Sequence, residues 1–190
     1  AQQVLNAAEQ MRSLLDQMNN LTLLQTDEMV MRPAKISVQD ILNFACDEIK
    51  YFAARKNLAL VFAFQDEPMY VDVDAEKTTL AIVNLLNNAI RFSPNDSQIV
   101  IGAIEQGKQV MAWVQDNGKG IPEDLQGKLF TPSFTTKSSG MGLGLSITKN
   151  IIESFNGHIT FKTKVNHGTS FLIELPVYKH NPGNDENNSK

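Results

Sequence analysis

The chain has 190 residues, a formal charge of −4, 42% hydrophobic and 20% charged residues, enough to bury the core of one ordinary domain with an appended element. Its acidic balance excludes the general basic face that nucleic acid or an anionic membrane calls for, so any site for a charged nucleotide must be built locally. The single cysteine, Cys46, excludes an internal disulfide and a multi-cysteine metal site; its apolar neighbours, with no signal-peptide pattern and no apolar run near the roughly 20 residues that span a bilayer, point to a reducing, cytoplasmic setting.

In chain order, the first element is a helix. Val4, Ala7, Met11, Leu14, Met18 and Leu21 alternate at spacings of three and four, a heptad-like seam suited to meeting partner helices in a bundle. Because the chain starts at Ala1 rather than methionine, a fragment is expected, and its parent is open to an inner-membrane anchor. Arg32-Pro33 breaks the helix, which gives a linker near residues 28–34. Lys35-Ile36-Ser37 then reads as a short strand, and Ser37 caps a helix from Val38 to about Lys56. Strands are expected at 59–64, 70–73, 98–105, 109–116, 158–164 and 169–175, with helices at 75–93 and 144–155. A glycine-bearing connection over 117–143 is long enough to suggest a lid. The tail from 179 to 190, "KHNPGNDENNSK" with its flanking lysine, has nothing to bury and is expected to be disordered. The expected domains are therefore 1–30, a bundle helix, and 31–178, a globular unit.

The polar residues of "NLLNNAIRFSP" set the first chemical question. Asn84, Asn88 and Arg91 share one helical face among apolar neighbours. One such asparagine is ordinarily a hydrogen-bonded structural residue; two with an arginine shift the reading toward a ligand. An amide oxygen suits magnesium, and an arginine complements phosphate. On the strand 109–116, Val110, Ala112, Val114 and Asp116 face one way. A carboxylate at the end of an apolar row can accept from an adenine amino group. The following Asn117-Gly118-Lys119-Gly120 reads equally as a tight turn.

Phe130 and Phe134 in "LFTPSFTTK" are expected to pin the root of the long connection, which leaves Lys137 free to close over phosphates. Gly140, Gly142 and Gly144 precede a helix start, where unpaired amides and the helix dipole favour an anion. A flexible loop that merely ends in a helix stays open beside that reading. Gly168 and Thr169 begin an alternating strand, and Thr169 either touches a base or simply favours the strand.

Taken in order, "NLLNNAIRF", "DNGKGI", "LFTPSFTTK", "GMGLGLSI" and "HGTSFLIELP" resemble the N, G1, F, G2 and terminal glycine boxes of the catalytic ATP-binding domain of sensor histidine kinases. These belong to the wider Bergerat-fold (GHKL) ATPases. The match runs over residues 35–177, and the lid wording is similar to the nitrogen-regulation type. "LLDQMNNLTLLQTDEM" looks like the end of a dimerisation and histidine-phosphotransfer helix.

The resemblance implies an α/β two-layer sandwich, a mixed sheet under helices, preceded by one long bundle helix. It implies ATP and Mg2+ as ligands, and transfer of the γ-phosphoryl group to a histidine. Asn88 would coordinate magnesium, Asn84 would hold phosphates or water, Arg91 and Lys137 would contact phosphate, and Asp116 would read the adenine amine. The implied binding wall adds Gly118, Gly120 and Ile121, then Gly140, Met141, Gly142, Leu143, Gly144 and Leu145, and lastly Thr169.

The implied partners are the histidine-phosphotransfer region of the parent, a response regulator and a second copy of the chain, with no nucleic acid. One departure matters: His158, His167 and His180 are not followed by an acidic residue, so the acceptor histidine is expected to lie outside this chain. The alternatives are a hydrolysing Bergerat-fold ATPase, an anti-sigma-type serine kinase, and a nucleotide-binding module without kinase activity. Hydrolysing relatives use a glutamate where this chain has Asn84.

Overall fold

The computed structural model describes residues 30–132 and 142–179. Two short strands, β1 (Ala34–Ser37) and β3 (Tyr70–Val73), pair antiparallel with Ile36 opposite Val71. Ser37 is extended and accepts the Asp40 amide hydrogen at 3.4 Å, which starts α1 (Val38–Arg55). The helix buries Val38, Ile41, Leu42, Ala45, Cys46, Ile49 and Ala53, a stripe repeating every three or four residues. Burial, with the Asp47 charge beside it, pushes the Cys46 thiol up to about 11, so the thiol stays protonated and unreactive at neutral pH.

The second helix, α2 (Ala75–Phe92), begins at Asp74, whose side chain accepts from Lys77 N at 3.0 Å and from Arg32 N at 2.9 Å. Burial alone would raise the Asp74 carboxyl, but these amides and the Lys77 charge outweigh it and hold the group below its ordinary range. Helix α2 lies between α1 and α4 (Gly144–Ser154), touching both. That central position explains why Thr78, Ala81, Ile82, Val83, Leu85, Leu86, Ala89 and Ile90 are all buried.

The helices cover one face of a five-stranded sheet ordered β2-β4-β5-β7-β6: β2 (Ala59–Phe64), β4 (Gln98–Gln106), β5 (Gln109–Gln115), β7 (Gly168–Pro176) and β6 (His158–Lys164). The β2–β4 pair is parallel and the other three pairs are antiparallel, so the sheet is mixed. Alternation sends Ile99, Ile101, Val114, Phe171 and Ile173 into the core. On the opposite face the Trp113 indole lies against Gly102, where a side chain would collide with it. The two-layer α/β architecture expected from the sequence is therefore present.

Every strand and helix expected between residues 34 and 176 is found, with ends shifted by a residue. The expected helix 75–93 stops at Phe92 because Ser93 turns extended, at φ −65° and ψ 142°. The strand expected to end at residue 116 ends at Gln115, which leaves Asp116 at its mouth. A correction falls on the connection 117–143, which is not featureless: Glu123–Gln126 forms a short helix, α3. The expected bundle helix of residues 1–30, apart from Val30, and the tail beyond Lys179 lie outside the described residues.

Candidate functional site

Helix α2 supplies one wall of the site. Its other faces pack on α1, α4 and the sheet, so the least buried strip carries Asn84 and Asn88, both half-buried, and Arg91, exposed in the last turn. Asn84 Nδ2 lies 3.5 Å from the carbonyl oxygen of Gly144. The Thr148 hydroxyl donates to that same oxygen at 2.8 Å and lies 3.4 Å from Ala81 O. The first turn of α4 is thereby tied to α2 beside Asn84. A Cβ on Gly144 would meet Asn84 Cγ at 3.6 Å, an ordinary contact. Glycine here leaves the backbone bare; it relieves no clash.

The start of α4 supplies the next wall. Gly142 has φ +68°, a left-handed conformation that favours glycine. Leu143 occupies the cap position and makes no side-chain capping bond. The Ser146 hydroxyl donates back to Leu143 O at 2.8 Å, and Ile147 N is the first amide taken up by the helix, at 3.0 Å from Leu143 O. Among the described residues the amides of Gly144, Leu145 and Ser146 have no acceptor. Three donors at the positive end of a helix dipole make a place for an anion. Leu143, buried, and Leu145, half-buried, fix this turn to the core.

The far end is built around Asp116, which is 6% exposed at the mouth of β5. Its Oδ1 accepts from Gly118 N at 2.7 Å and from Thr169 N at 3.3 Å, and its own amide donates to Thr169 O at 2.9 Å. Burial pushes the Asp116 carboxyl above the usual carboxylate range, against the downward pull of the Gly118 and Thr169 amides. A Cβ at Gly118 would come within 2.7 Å of both Asp116 Oδ1 and Phe92 O, so this glycine lets the loop lie on the end of α2. Gly120, at φ +68°, is pressed to the Lys164 carbonyl, and Gly168, at φ +100°, to that of Asp116. Ile121 N donates to Thr163 Oγ1 at 3.0 Å, fixing the loop to β6.

These contacts give the site its length. Asn84 abuts the α4 start, Phe92 abuts the Asp116 loop, and the eight helical steps from one to the other rise about 12 Å along α2, with Asn88 midway. One end offers carboxylate and hydroxyl oxygens, the other offers amide donors. The sequence-expected residues Asn84, Asn88, Asp116, Gly118, Gly120, Ile121, Gly142, Leu143, Gly144, Leu145 and Thr169 are brought to this strip or its two ends. Lys137, Gly140, Met141 and Phe134 lie outside the described residues.

Phe130 pins the connection as expected, its ring 6.0 Å from that of Phe161 and 6.5 Å from that of Phe171. Among the described residues no cluster of three or more His, Cys, Asp or Glu could cage a metal. A divalent cation here would have to combine an amide oxygen with ligand oxygens and water, a donor set that suits magnesium and that Asn88 fits. Two residues at the Asp116 end are given no role by the sequence: Lys119, whose Nζ sits 5.3 Å from the Phe92 ring centroid, and Thr163, whose hydroxyl accepts from Ile121 N and lies 3.0 Å from that of Thr169.

Residues 73–179 match the family described as "Histidine kinase-, DNA gyrase B-, and HSP90-like ATPase". Sensor histidine kinase ZraS of Salmonella typhi is 34% identical over 154 residues, which cover 78% of this chain and 33% of ZraS. The chain thus spans about a third of the length of such relatives. The nucleotide-free catalytic domain of histidine kinase ThkA superposes with a TM-score of 0.71 at 30% identity, covering 77% of this chain and 96% of that one. ThkA in complex with the response regulator TrrA superposes at 0.76 and 26% identity, covering 91% of this chain and 50% of that one. Among the described residues no helix is long and apolar enough to cross a membrane.

Proposed function

The chain belongs to the histidine kinase-, DNA gyrase B- and HSP90-like ATPase family, and from that premise we propose that it is the catalytic part of a sensor histidine kinase, transferring the γ-phosphoryl group of ATP to a histidine outside this chain. The observation that carries this reading is the pairing of a buried carboxylate, Asp116, with a helix start beside Asn84 that has no side-chain cap among the described residues, at opposite ends of one strip of α2. The adenine amino group donates to Asp116 and the base lies against the apolar row that precedes it. The phosphates lie toward the amides of Gly144, Leu145 and Ser146. Arg91 adds positive charge, and the sequence motif assigns Lys137, Gly140 and Met141, which lie outside the described residues, to the same phosphates.

Magnesium, when bound, supplies charge neutralisation on the phosphates, and Asn88 is the side chain suited to hold it. In the reaction an imidazole nitrogen lone pair attacks the γ-phosphorus, the bond to the β-bridging oxygen breaks, and ADP leaves. The imidazole proton passes to a base supplied with the acceptor. This chain's residues bind and orient, which is where most catalysis of phosphoryl transfer comes from. Asn84 has no basic group with which to activate water, which supports transfer over hydrolysis. The heptad seam of residues 4–24 supports a bundle with a second copy, and the ThkA–TrrA complex supports a response regulator as downstream partner.

The test is phosphotransfer from labelled ATP to a separately supplied acceptor-histidine domain. Asn88→Ala is expected to lower the rate by at least a hundredfold while leaving the thermal midpoint within a few degrees. Undiminished transfer by that variant would remove the metal assignment.

A further inference from the structure

One edge of the five-stranded sheet is guarded and the other is bare. At one side the outer strand, β6, carries His158, Lys162 and Lys164, all exposed, and the loop through Gly120 and Ile121 lies against its end. Charged side chains and covering loops are the means by which a sheet edge is kept from pairing with another chain. At the other side the outer strand, β2, reads Ala59-Leu60-Val61-Phe62-Ala63-Phe64, with no charge and no proline, in unbroken register with β4.

The main chain of β2 is as open as its side chains. Ala59 N donates to Ser97 O at 2.9 Å, and in a parallel ladder that phase turns Ala59, Val61 and Ala63 toward β4 and leaves the amides and carbonyls of Leu60, Phe62 and Phe64 pointing outward. Among the described residues these outward groups have no hydrogen-bond partner. Phe62 is 47% exposed and Val61 38%, and the Phe62 and Phe64 ring centroids lie 5.4 Å apart.

The chemistry of this edge describes the strand that fits it. Alternate apolar residues must meet Leu60, Phe62 and Phe64. Arg55 and Lys56 precede β2, and Asp66 and Glu67 follow it, so a strand running antiparallel to it matches in charge when a basic end comes before its apolar run and an acidic end after it. β2 itself has that pattern.

We propose that β2 is an interaction edge at which two copies of this chain pair antiparallel about a twofold axis, Phe62 opposite its own copy and Leu60 opposite Phe64. Each of these pairs exchanges both its main-chain hydrogen bonds, so every outward group finds a partner, and the contact is isologous. One strand pair falls short of the roughly 1,000 Å² that a stable interface buries. The pairing is therefore expected between copies that the N-terminal bundle helix already gathers, since tethering raises their effective concentration. The inference rests on that part of the proposed function and adds a second contact to it.

The experiment is disulfide cross-linking of the full chain. Across a hydrogen-bonded antiparallel pair the Cα atoms are about 5.5 Å apart, a separation that a disulfide spans, so Phe62→Cys is expected to give a linked dimer on mild oxidation. Cys46 is buried and its thiol stays protonated, so the wild type is expected to give none. Ala63→Cys, which lies opposite Val61 and not its own copy, is expected to link at least tenfold less. Adding Val61→Lys, which sets like charges at the seam, is expected to lower the Phe62→Cys yield at least tenfold, and adding Leu14→Glu is expected to lower it as well.

A Phe62→Cys protein that sediments as a dimer and gives no link would overturn the inference and leave the bundle contact standing. Equal yields at positions 62 and 63 would overturn it too, as the mark of random collision. A wild type that stays monomeric would overturn both readings. Should Phe62→Cys fail to fold, hydrogen exchange of unaltered edges decides: the amides of Leu60, Phe62 and Phe64 are expected to exchange at least tenfold more slowly in the wild type than in Leu14→Glu, and equal rates would contradict the pairing.

Discussion

Burial holds the Asp116 carboxyl above its ordinary range, with consequences for stability as well as for binding. A carboxylic acid whose folded pKa is raised opposes folding once the pH is high enough to ionise it, and that opposition fades as falling pH protonates it. Where it is ionised, the side chain therefore works against the fold. Asp116→Asn keeps an oxygen for the Gly118 and Thr169 amides and removes the charge. Its thermal midpoint at pH 7 is expected to equal or exceed that of the wild type, with the gap closing as the pH falls toward 4. A clear loss of stability at pH 7 would show instead that the ionised carboxylate holds the loop together. Asp116 was legible in the sequence because strand alternation put it at the end of an apolar row. The contacts of Thr163 with Ile121 N and the Thr169 hydroxyl were not, because they depend on Thr163 facing Thr169 across the β6–β7 pair, a register that no local spacing encodes.

The regular elements were readable because each carries its own start and stop. Ser37 and Asp74 cap α1 and α2, and the buried positions of those helices recur every three or four residues. Where such signals were weak, the reading was incomplete: α3 has only the residues Glu123–Gln126, no capping side chain and no buried residue, so it left no periodic trace. The three-dimensional consequence of α2's central position was also out of reach. Its polar strip could be drawn on a helical wheel, but the contacts of Asn84 with the α4 start and of Phe92 with Gly118 come from long-range packing.

At this scale the N-terminal seam makes its own prediction. If residues 4–24 form a bundle helix, sedimentation of the chain is expected to show self-association that Leu14→Glu abolishes, since a charge at a heptad core position opposes helix pairing. A monomer at every concentration, indifferent to that change, would remove the dimer proposal.

For the molecule as a whole, a mixed sheet and three packed helices hold apart two chemically opposite ends and join them along one side of α2. Family membership explains why that framework is shared with histidine kinase-, DNA gyrase B- and HSP90-like ATPases, and the proposed function adds to it a reading of the site in which the asparagine at position 84 and the absence of a following acid beside any of the three histidines suit a phosphoryl donor whose acceptor lies elsewhere. Calorimetric titration of the full chain with a non-hydrolysable ATP analogue tests this most directly. With magnesium present, one nucleotide is expected to bind per chain, and Asp116→Asn is expected to weaken it at least tenfold. Absence of binding heat and of thermal stabilisation in the wild type, or equal affinity in the variant, would contradict the account.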